Sequence, residues 1–257
     1  MIINLVPGLK AHRKNDFMLL KNSFITIRFS AIAIAATILL ASCSKKSSDA
    51  VTTPAAGVMA FNLAPDKTLI GFTLSQTPIT SSGLGYAKYT GNYLSVPIGD
   101  KTLGAYDYGG STTSFASTLV TFQKDHFYSV FLVGKGAFYK TLVEEDNISS
   151  LSSSSGLAYI RYVNAIVDSV SSFNVTVADN TNTAKVNETS IFPAVSDFVG
   201  VNPGSVTVTV TNSTGLNLTK SFVVEPKKVY SILFSGIQNS SVTPAVINYI
   251  TNGTLNQ

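Results

Sequence analysis

The groups able to attack, titrate or ligate are few. The 257 residues hold one cysteine, Cys43, and two histidines, His12 and His126. His126 lies in "FQKDHFYSVF", next to Asp125. A general base with Asp125 as its orienter is the catalytic reading. Adjacent residues entering a strand point to opposite faces, which favours an ordinary histidine in a hairpin turn. Zinc needs three or four histidine, cysteine or carboxylate ligands, and that supply is missing. Glu144, Glu145 and Asp146 form the one acidic cluster. It lacks the alternating Asp run of a calcium loop and reads as a solvated charge run. Gly109–Gly110 reads as a turn, not a phosphate loop. No catalytic residue, metal or cofactor is expected.

Cys43 asks for a different explanation. Lys21 and Arg28 precede an apolar stretch from Phe29 to Ala41, broken only by Ser30 and Thr37. That is a basic region followed by a hydrophobic region too short for a permanent span. Leu40, Ala41 and Ser42 then lead into Cys43. The segment resembles the lipobox of bacterial lipoproteins. The resemblance implies that Cys43 is lipidated and becomes the first mature residue, with two or three acyl chains making a stable anchor. Residues 1–42 are then an over-extended start, before Met18, plus a lipoprotein signal peptide. Residues 43–55, polar and small, read as a tether.

The net charge of +4 is carried by the part that would be removed. Lys10, Arg13, Lys14, Lys21 and Arg28, with Asp16, precede Cys43, leaving 13 basic and 13 acidic residues after it. A neutral chain without a basic cluster gives no footprint for nucleic acid. What remains is rich in Val, Thr, Ser, Asn, Tyr and Phe, a strand-and-turn composition. Without a second cysteine, stability must come from apolar burial.

The elements that would position any site come from alternation and internal similarity. In "SVTVTVT", Val206, Val208 and Val210 face one way and Thr207, Thr209 and Thr211 the other. Phe173, Val175 and Val177 repeat the pattern, which predicts half-buried antiparallel strands. Asn62, Asp66 and Tyr128 recur 102 residues later as Asn164, Asp168 and Tyr230; Tyr93 and Gly99 recur 105 later as Phe198 and Gly204. Near-constant offsets indicate a duplicated module. The expectation is all-β: two tandem immunoglobulin-like antiparallel β-sandwiches, at 56–146 and 157–257, joined by a Ser-rich linker at 147–156. Each would bury its own core, and 157–250 would fold alone. Gly99 and Gly204 fall where a tight turn asks for positive φ.

Arg161, Asn164, Asp168, Phe173, Val175, Val201, Pro203, Gly204, Val206, Val208 and Tyr230 together form a pattern. It resembles the domain-of-unknown-function family 4397 (DUF4397), found in tandem in Gram-negative envelope lipoproteins. The first copy departs from it, with Ala60 at the expected basic position and "VPIG" in place of "NPG". The resemblance implies a sandwich and an envelope address, and no activity.

Tyr86, Tyr89, Tyr93, Tyr106 and Tyr108 are the candidate binding residues, since tyrosine joins an apolar ring to a polar tip. A ladder of tyrosines across strands is the competing structural explanation. Asp168–Ser169–Val170 resembles an O-glycosylation site of exported envelope proteins, which would fall on Ser169. The sequence thus predicts a lipid-anchored envelope protein, on the outer membrane, that binds or adheres to protein or glycan without catalysis. The alternative is a structural or accessory subunit of an envelope complex. A hydrolase built on His126 is the remote third option.

Overall fold

The computed structural model describes residues 54–168 and 172–255. Cys43, the segment before it, Ser169 and most of the tether lie outside the described residues. Residues 53–257 hold together as one unit. Among the described residues the structure is almost wholly β. It has one 3-10 turn, Ile148–Ser150, and no helix long and apolar enough to cross a membrane.

The first sandwich is built from β1 (Ala55–Asn62), β2 (Leu69–Leu74), β3 (Thr77–Pro78), β4 (Leu84–Gly85), β5 (Leu94–Pro97), β6 (Gly99–Asp107), β7 (Ala116–Phe122), β8 (Phe127–Lys135) and β9 (Phe138–Glu145). One sheet has the order β5-β1-β8-β9 and the other β3-β2-β6-β7, with β4 beside β2. Ala60, Phe72, Leu103, Val130 and Leu132 fill the space between them.

The second sandwich follows with β10 (Ala158–Ile166), β11 (Ser172–Ala178), β12 (Ala184–Ile191), β13 (Ala194–Val195), β14 (Val199–Val201), β15 (Gly204–Thr211), β16 (Asn217–Val224), β17 (Lys228–Gly236) and β18 (Val246–Thr254). Its sheets are β13-β10-β17-β18, with β14 beside β10, and β12-β11-β15-β16. Ile160, Phe173, Val175, Val208 and Phe234 lie in its core.

Pairing between the named strands is antiparallel, save for one parallel pair in each sandwich, β1 with β8 and β10 with β17. The two registers correspond: Gly57 opposite Phe127, and 102 residues on, Tyr159 opposite Val229. Two local devices correspond in the same way. The Tyr128 hydroxyl accepts from the Gln123 amide at 3.1 Å, and the Tyr230 hydroxyl from the Glu225 amide at 3.0 Å. Asn62 and Asn164 are fully buried, and each accepts the amide two residues ahead on its Oδ1, turning the chain out of β1 and β10. Gly99 and Gly204 have φ of 88° and 122°, as the turns require.

A third apolar cluster lies between the sandwiches. Met59 and Phe61 of β1, Leu63 just after it, and Phe131 and Val133 of β8 pack against Val163 and Ala165 of β10 and Leu233 of β17. The four sheets therefore stack in four layers, and β1, β8, β10 and β17 are covered on both faces. Each sandwich thus has its own core, as expected, and a shared cluster that the sequence reading did not anticipate joins them. The fragment 157–250 alone would expose Val163, Ala165 and Leu233, each worth roughly 1–3 kcal/mol of lost burial.

The outer strands keep the alternation read from the sequence. Val206, Val208 and Val210 are fully buried while Thr207, Thr209 and Thr211 are half-buried. Thr207 and Ser221 share a hydrogen bond across β15 and β16 on the solvent side. Val208→Asp places an unpaired charge in the core and is expected to cost more than about 4 kcal/mol, enough to unfold a domain of ordinary stability. Thr209→Asp should change stability by less than about 1 kcal/mol. Urea denaturation of the two variants checks this, and equal losses would refute the alternation.

Candidate functional site

Where the two inner sheets meet, the polar groups concentrate around Arg161. Its side chain is about 1% exposed, on a strand whose every residue is buried. The guanidinium crosses from the second sandwich to the first. Nη2 reaches Asp146 Oδ1 at 2.6 Å, an ionic contact off the hydrogen-bond direction, and donates to Ser129 Oγ at 2.7 Å. Nε donates to Ser231 Oγ at 2.8 Å, which in turn donates to Asn252 Oδ1 at 2.8 Å. Phe198 lies under the guanidinium at 4.6 Å from its ring centre, a cation–π contact. Asp146, fully buried, also accepts from Ser129 Oγ at 2.9 Å and from the Tyr93 hydroxyl at 2.5 Å.

This overturns the reading of Glu144–Glu145–Asp146 as a solvated run. A guanidinium out of water needs a counter-charge, and Asp146 supplies it. Burial, and then the Asp146 charge, hold the Tyr93 hydroxyl well above the usual phenol range, so it stays protonated and donating. Burial likewise raises the Glu144 carboxyl, against the pull of Arg161, with Asp197, Asp146 and Glu145 adding to the rise. The paired registers also show which residue of the first copy matches Arg161. Arg161 faces Ser231 on β17, and Met59 faces Ser129 on β8, so the equivalent is Met59, not Ala60. A methionine there leaves one cation for both halves.

The five tyrosines separate into two groups. Tyr89 stacks on Phe61 at 5.3 Å, Tyr93 bonds Asp146, and the Tyr86 hydroxyl donates to Ser235 Oγ of the second sandwich at 3.2 Å. These three belong to the contact between sandwiches. Tyr106 and Tyr108 lie on and beside β6. The Tyr106 ring covers Gly71, where an added Cβ would come within 2.4 Å of it, and the Tyr108 hydroxyl donates to the Ser81 carbonyl at 3.0 Å. The five form no common exposed platform.

His126 bonds Glu145, at 2.8 Å from Nδ1, in place of the neighbouring Asp125. The pair stands at the mouth of a cleft of about 590 Å³ between the sandwiches, which Tyr93, Phe127, Asn147, Leu151, Asn252 and Leu255 also line. A carboxylate on Nδ1 can orient an imidazole, but a nucleophile within its reach would complete catalysis, and the bonds described around Tyr93 commit that hydroxyl to Asp146. Among the described residues, no three His, Cys, Asp or Glu side chains are grouped to hold a metal.

The ends of the described stretch lie together. Ala55 enters beside the turn before β8, where its carbonyl accepts from the Asp125 amide, and Leu255 bonds Lys227 at the start of β17. The linker joins the ends of β9 and β10 on this same side, along the cleft. At the opposite end stand the β8–β9 hairpin, the end of β12 and the loop between β17 and β18.

Residues 56–169 match the family model described as Domain of unknown function (DUF4397). The match falls on the first sandwich and runs through β10, taking in Arg161, Asn164 and Asp168. The sequence pattern itself is more complete in 157–250. No curated protein matches the chain. Among solved structures, it resembles three described as "putative cell adhesion protein". One is from Bacteroides ovatus ATCC 8483, with TM-score 0.26 and 10% identity, covering 79% of this chain and 98% of that one. One is from Bacteroides uniformis ATCC 8492, with 0.22, 8%, 77% and 96%. The third is from Bacteroides eggerthii DSM 20697, with 0.20, 9%, 77% and 96%.

Removing one partner of the central ion pair should be costly because it strands the other. Arg161→Met and Asp146→Asn are each expected to lose about 3–5 kcal/mol. The double variant should lose clearly less than the sum, since the two act as one unit. A double-mutant cycle by chemical denaturation measures the coupling, and strict additivity would rule out the pairing.

Proposed function

We propose that this chain is a lipid-tethered envelope protein that binds a protein partner, without catalysis, through the end of its double sandwich opposite the tether. The observation carrying this reading is the hairpin between β8 and β9. Phe138 at its tip is 84% exposed, yet the hairpin is pinned. Asp66 Oδ2 accepts from the Gly136 amide and the Tyr139 hydroxyl, each at 2.7 Å. Ile191 and Val242, 63% and 86% exposed, stand at the same end. An apolar hollow of about 410 Å³ adjoins Phe138, walled by Ala137, Val167 and Phe192. Exposed apolar groups held in place at one end, rimmed by polar residues, are what a protein-binding surface requires. Their position matters as well: residue 55 enters at the other end, so a tether there leaves this end facing away from the membrane.

The anchor rests on Cys43 and the residues before it. Two acyl chains on that thiol would hold the protein at the membrane, and the outer membrane is the proposed address. Mass spectrometry of protein extracted from envelopes is expected to show a mature chain starting at a diacylglyceryl-modified Cys43. An unmodified thiol would remove the anchor.

For the binding end, the full chain in detergent is used as bait against solubilised envelopes, alongside two variants. A specifically retained protein should be weakened at least about tenfold by Phe138→Ser, as for an aromatic anchor. Leu119→Ser, a comparably exposed apolar change on an outer strand, should leave it bound. Retention that ignores Phe138→Ser would sink the assignment of this end.

A further inference from the structure

The cleft at the other end, where the chain enters, has a different chemistry from the apolar end. On its rim the charged groups already have partners: Lys124 lies 3.7 Å from Asp125, and Glu145 lies 2.8 Å from His126 Nδ1. The rim therefore offers hydrogen-bonding groups in pairs, with no cluster of basic residues to select an anion. The walls supply Phe127, 46% exposed, together with Ile148, Leu151 and Leu255. The Phe127 ring is held firmly. It sits over Gly57, where an added Cβ would come within 2.5 Å, and meets Tyr93 edge to face at 4.9 Å. A fixed ring with half its surface open is a stacking platform.

The second observation concerns Asn252, which lines the cleft and is 6% exposed. Its Oδ1 is used by Ser231, and its Nδ2, beside the Tyr93 hydroxyl, makes no properly directed hydrogen bond. The Tyr93 hydroxyl, the acceptor beside this donor, is poorly placed for it, so a ligand oxygen reaching Nδ2 would serve it better; an unserved buried donor costs about 1–3 kcal/mol. The Asn147 amide and the His126–Glu145 pair offer further donors and acceptors along the same wall.

A neutral molecule with many hydroxyls and one apolar face meets all of these demands. That is a pyranose ring, whose C–H face stacks on an aromatic side chain while its hydroxyls meet amides and carboxylates. We infer that the cleft between the sandwiches, beside the tether, binds a neutral oligosaccharide, with Phe127 as its stacking ring and Asn252 Nδ2 as a donor to a sugar oxygen. A volume of about 590 Å³ lies in the range of small-ligand sites. The inference goes beyond the protein-binding end and does not depend on it.

Saturation-transfer NMR on the full chain in a sugar-free detergent tests it, with cellotriose, maltotriose and chitotriose as probes and the tripeptide Ala-Phe-Ala as comparison. At least one trisaccharide is expected to bind with Kd at or below about 1 mM, and the peptide is not. Phe127→Ala and Asn252→Leu should each weaken that binding at least about tenfold, with circular dichroism checking that both variants remain folded. Phe127 is half-exposed, so its variant stands even if the buried change at Asn252 unfolds the chain. Phe138→Ser should leave sugar binding unchanged, so the two ends succeed or fail separately. No binding of any trisaccharide, binding indifferent to Phe127→Ala, or preference for the peptide would each overturn the inference.

Discussion

The structure turns on one guanidinium taken out of water. Arg161 sits in a strand with no exposed residue, between two sheets, and its charge is met across the gap by Asp146. The cost of desolvating the pair is offset only if nearly every donor finds an acceptor, so Ser129, Ser231 and Tyr93 are drawn into one network. Phe61, Phe131, Val163 and Leu233 supply the apolar part of the contact. The polar network gives it a register: only one sliding position of the sandwiches lets Arg161 reach Asp146. Asp146 is also the last residue before the linker, so the point where the chain leaves the first sandwich is the point where the second is locked on.

Much of this was legible in the sequence and some was not, for physical reasons. β15 announces itself because one of its faces meets solvent, so Val and Thr alternate. The inner strands give a different signal. "YSVFLVG" and "VYSILFSG" are nearly unbroken apolar runs, as strands covered on both faces must be. Those runs foretell a third and fourth layer, and an expectation of two free-standing sandwiches leaves them unused. Arg161 carried a similar message: a charge inside such a run requires a buried counter-charge. Asp146 could not be named as that partner from spacing, because the two residues belong to different sheets and the approach is set by packing.

The tyrosines show the limit of spacing from the other side. Tyr86, Tyr89 and Tyr93 are close in sequence and do converge, but on the join between sandwiches. Tyr106 and Tyr108 belong to the opposite sheet of the first sandwich. Phe127 and Asn252 were not singled out at all. They are 125 positions apart, and only the stacking of the inner sheets brings them to one cleft. The family match draws a similar line. It covers the first sandwich together with β10, the strand that carries the shared cation.

β1 is hydrogen-bonded on both sides, antiparallel to β5 and parallel to β8, and the chain enters at its outer end. A pull exerted between that entry and the far hairpin runs along the strand axis. Ladder bonds lie across that axis, so the load would be shared among all of them in shear instead of breaking them one by one as in a peeled strand. The parallel pair gives the molecule a mechanical direction: it resists extension along the line from residue 55 to the far hairpin better than it resists a sideways tug.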